Sequence, residues 1–169
     1  ERIQRRDNHT GRIQEFVDRP GRLIVHLAGC SLGLGVVMHR TDKPLTVWIA
    51  PLDTRAIGAC LAGLSTAASA VDVEAELDTL SSLLAEGVLD RVAQELESSE
   101  IDEVVVVAAG ALSQVPLHAL HGGYPPWSLL ARVRYVPSVE LAVRLSDDLT
   151  SGAPRSTAAF CDADGDLDF

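Results

Sequence analysis

Aromatic residues are scarce: three Phe, two Trp and two Tyr make up 4% of the 169 residues. A core must therefore be filled mainly by Ala, Val and Leu, and a hydrophobic content of 47% supplies enough of them. A chain this long buries roughly 70% of its unfolded surface, so it can hold a core without staples or metals. Cysteine is scarcer still. Cys30, Cys60 and Cys161 are far apart and odd in number, which excludes a disulfide framework. Lysine is nearly absent, with Lys43 alone among 14 basic residues, against 24 acidic ones and a formal charge of -10. That balance argues against a nucleic-acid groove or an anionic membrane as partner, since either favours a basic patch. The one basic cluster, Arg2, Arg5, Arg6 and Arg12, lies among polar residues and reads as a solvated helix end. No apolar stretch approaches the ~20 residues of a membrane span, and no charged-then-apolar signal opens the chain. The expected setting is reducing and cytoplasmic. Glu1 stands where an initiator Met would, so we expect a piece of a longer polypeptide.

What is present is punctuated hydrophobicity. Residues 1–20 read as a polar lead-in helix or upstream linker, stopped by Pro20-Gly21. "RLIVHLAGC", "LGVVMHR" and "LTVWIAP" follow at close spacing with turn residues between, the pattern of an antiparallel meander. After Pro51 the period becomes helical: Leu52, Ala56, Ile57, Cys60, Leu61 and Leu64, with Asp53 placed as cap. A second stripe runs through Val73, Leu77, Leu80 and Leu84 to Val88, Val92 and Leu96, and Gly87 is expected to split it in two. "IDEVVVVAA" lacks polar alternation, as a strand buried on both faces does. A loop over 110–116, a turn over 122–126, a less buried strand "ARVRYVP" and a helix capped by Ser138 come next. "TAAFCDADGD" reads as one more strand and its turn. The class is α/β, an antiparallel hairpin region joined to parallel strands in a mixed sheet with flanking helices.

Several residues invite a chemical reading. Ser113 and His118 resemble parts of a serine hydrolase, but "GALSQ" lacks the second glycine of a tight nucleophile elbow, so Ser113 is expected to bond its own loop. His121-Gly122 with Cys161 imitates the pair a cysteine protease needs, an imidazole that activates a thiolate. Phe160, rather than a small residue, precedes that cysteine. No Cys-x-x-Cys pair supports a zinc site with His118 and His121. His26 and His39 read as strand residues with satisfied rings. In "DADGD", residues 162–166, Gly165 stands fourth where a calcium loop requires Gly sixth, so a turn is expected. "GLG" at 33–35 lacks the third glycine of a dinucleotide fingerprint and reads as a hairpin turn.

Three internal stretches carry a family likeness: "RLIVHLAGCSLGLGVVMHRTDKPLTVWIAPLD", "EVVVVAAGALSQVPLHAL" and "ARVRYVPSVELAVRL". With the closing "AAFCDADGDL" they follow the order of the first half of a CHAT domain, the caspase-like domain often attached to tetratricopeptide repeats, which residues 21–169 resemble. Val115 stands where the family often has Leu, and Pro125-Pro126 is a local insertion. The resemblance implies a caspase-like mixed sheet and a parent that hydrolyses peptide bonds with a thiolate and a histidine base. The family's His-Gly and Ser-Ala-Cys motifs follow the segment matching Phe160 to Asp168, so no catalytic residue is transferred to this chain. The resemblance thus implies a truncated, non-catalytic half. Its implied partners are the rest of the CHAT domain, an upstream region such as tetratricopeptide repeats, and a protein substrate or regulator. Neither a cofactor nor a metal is implied.

Overall fold

A computed structural model describes residues 2–97 and 100–150, with side chains over 10–97 and 100–144. The elements are α1 (Arg2–Val17), β1 (Arg22–Cys30), β2 (Gly33–His39), β3 (Thr46–Ala50), α2 (Thr54–Thr66), α3 (Ala70–Leu84), α4 (Asp90–Glu97), β4 (Glu103–Ala108), α5 (Trp127–Leu130), β5 (Arg132–Tyr135) and α6 (Val139–Thr150). The strands form one mixed five-stranded sheet in the order β3-β2-β1-β4-β5. β1, β2 and β3 are the antiparallel meander expected from their spacing, while β1, β4 and β5 run parallel.

Alternation along the strands sorts the core into two layers. Leu23, Val25, Leu27, Leu34, Val36, Val104 and Val106 face α2, α3 and α4. Ile24 and Val105 face the other way, onto Phe16 of α1 and Ala142 and Val143 of α6. β4 lies between β1 and β5, and Glu103 to Val106 are wholly buried, which is why the valine run shows no polar period. Burying a Val or Leu contributes about 1.5–3 kcal/mol, so this central strand carries much of the fold's stability.

The helix signals act where the residues place them. Asp53 Oδ1 accepts from Arg55 N–H at 2.9 Å, Ser69 caps α3, and Ser138 Oγ accepts from Leu141 N–H at 3.2 Å. The long stripe is divided around Gly87 into α3 and α4, as expected, with a π segment over Ala85–Leu89 joining them. β3 lies close against that segment. A Cβ on Gly87 would stand 2.8 Å from the Ala50 Cβ, and Trp48 Nε1–H donates to the Gly87 carbonyl at 2.8 Å.

Two local readings shift. The hairpin turn is Ser31-Leu32, not residues 33–35, because Gly33 already pairs with Cys30 in the ladder. The stretch after Pro125-Pro126 forms the short helix α5, which seats Trp127 in the core at 1% exposure, its Nε1–H donating to the Leu89 carbonyl at 3.1 Å. The expected strand in "TAAFCDADGD" lies outside the described residues.

Candidate functional site

Three regions bring polar or reactive side chains together: the segment after β4, the carboxyl ends of the parallel strands, and a charged cluster at their amino ends.

After β4 the chain turns at Gly110, where φ is +61°, into a 3-10 turn over Gly110–Gln114. Ser113 is exposed there, and its hydroxyl donates to the Gly110 carbonyl at 2.8 Å, as its loop position suggested. His118 is half-buried and turned toward β5. Its backbone N–H donates to the Tyr135 hydroxyl at 3.0 Å, and its Nδ1 lies 3.2 Å from the same oxygen, the two rings meeting edge to face. Burial pushes the Tyr135 phenol up, so it stays protonated and can donate a hydrogen bond. Ser113 and His118 therefore spend their polar atoms on separate local bonds. His121 is exposed, and Cys161 lies outside the described residues. The calcium-like "DADGD" lies outside them too.

The carboxyl ends of β1 and β4 are the position where open α/β sheets hold ligands, because the chain leaves these neighbours in opposite directions, toward β2 and toward β5. An open recess of about 610 Å³ beside β1 is lined by Cys30, Ser31, Leu32, Gly33 and the approach to α2, Pro51 to Arg55. Cys30 is exposed at its rim. The carboxylate lining the recess, Asp53, is engaged in capping α2, and among the described residues no histidine lines it. A thiol without a base is a poor start for nucleophilic catalysis. Cys60 is worse placed, since burial and the neighbouring Glu76 push its thiol up. Among the described residues, no three of His, Cys, Asp and Glu gather as metal ligands.

At the amino ends sits a cluster of charged side chains. Glu103 heads β4 with a fully buried side chain. Its Oε2 accepts from Arg22 Nε at 2.7 Å and lies 2.5 Å from Arg22 Nη2, with Arg19 Nη1 at 3.4 Å. Oε1 pairs with Arg134 Nη2 at 2.8 Å without a well-directed hydrogen bond. Arg22 Nη1 also donates to the Phe16 carbonyl at 2.6 Å, near the end of α1, and its guanidinium lies 3.9 Å from the Phe16 ring centre. Burial pulls Arg22 below its ordinary value and Glu103 opposes the shift. This cluster pins α1, β1, β4 and β5 together; its charges are spent on one another.

The strand histidines share the α1 face. His39 Nε2 lies 3.4 Å from Asp18 Oδ1 and is buried without a hydrogen bond, so its ring is not satisfied in the way expected. His26 is half-buried, and burial together with nearby His39 lowers its pKa.

Sequence reading missed Tyr135 as the partner of His118, and Glu103 as an ionic hub. The second had a visible signal, an acid at the head of a run of valines. No family model matches the chain, and no curated protein matches it. Among the described residues, no helix is long and apolar enough to cross a membrane.

Proposed function

We propose that this chain is the non-catalytic scaffold half of a CHAT-type, caspase-like cysteine protease, working in the cytoplasm. In this reading it packs against a catalytic half and helps bind a protein substrate or regulator, with an upstream region, such as tetratricopeptide repeats, ahead of α1. No cofactor enters. The observation that carries the reading is the outer edge of β5. It is a short strand parallel to β4, and among the described residues no strand pairs with its other side. Parallel sheets are normally covered and continued, so an edge of this kind is a place for further strands to add. The recess at the end of β1, holding a thiol without a base, supports a scaffold over an enzyme.

A second reading, a degenerate caspase-like module that binds protein partners and cleaves nothing, is favoured by the exposed apolar row on β3. A third, a compact protease using His121 and Cys161, has an exposed imidazole in its favour. The gene sequence beyond Phe169 separates the first two. His-Gly and Ser-Ala-Cys motifs are expected there, and co-expression with that downstream polypeptide should give a stable complex with peptidase activity. A stop codon directly after Phe169 overturns the scaffold reading in favour of the module.

A further inference from the structure

We draw no further inference here: the strongest candidate, the exposed apolar row of Leu45, Val47 and Ile49 along the outer strand β3, carries nothing because nothing in the structure shows what covers it.

Discussion

The Glu103 carboxylate, with no solvent exposure, holds the Arg22 guanidinium at 2.5–2.7 Å between the paired first residues of two parallel strands. Two charges so deeply buried are tolerated because each finds several partners: Arg19 and Arg134 for Glu103, and the Phe16 carbonyl and ring for Arg22.

Removing one member of that pair strands the other. Glu103→Ala is expected to lower unfolding free energy by about 3–5 kcal/mol, whereas Arg22→Met/Glu103→Leu, which removes both charges, should cost far less. Urea denaturation of the two variants beside the parent chain checks this. Equal losses in both would show that packing, not the stranded charge, sets the cost.

Gly33 starts β2 with φ at +136°, and a Cβ there would stand 2.3 Å from the Ala50 carbonyl oxygen. Gly33→Ala should therefore destabilise by more than the ~1 kcal/mol of a routine backbone effect. Gly58, inside α2 with open space around it, should gain up to about 1 kcal/mol on the same change. The two thermal midpoints should move in opposite directions.

The pairing of His118 with Tyr135 is structural. Tyr135→Phe leaves the His118 N–H without its acceptor and should cost about 0.5–1.5 kcal/mol. Ser113→Ala, at an exposed loop hydroxyl, should stay within about ±0.5 kcal/mol. Denaturation curves report both; a large loss at Ser113 would mean that its loop bond matters more than its exposure indicates.

His26 sets the expected pH dependence near neutrality. Its folded pKa lies below the ordinary value of 6.5, because burial and His39 disfavour the charged ring. The unfolded chain therefore takes up the proton first. The stability tied to His26 is complete above that value and is lost as pH falls toward the lowered folded pKa. The urea midpoint should drop between pH 7.5 and 5.5, and His26→Asn should flatten the drop. A parent chain more stable at pH 5.5 contradicts this.

Sequence pattern exposed the parts of the fold that depend on local periodicity. The valine run of β4 reads as a buried strand because covering both faces removes the polar alternation, and Asp53 and Ser138 act as caps within three residues of their own positions. What stayed hidden depends on distance or on crowding. Glu103 meets Arg22 across 81 positions, and Gly87 lies against Ala50 of a strand far from it in sequence. α5 hides behind two prolines and is only one turn long, too short to show a period. At the candidate site, the pattern placed Ser113 in its own loop, but the aim of His118 depended on Tyr135, 17 residues on.

Under the proposed function, this chain carries a fold and leaves peptide cleavage to another segment. The most direct test is turnover of a quenched fluorescent peptide library by the purified, homogeneous chain. No hydrolysis above buffer is expected, and the same result for Cys161→Ala and His121→Ala. Turnover by the parent chain that either substitution abolishes would contradict it.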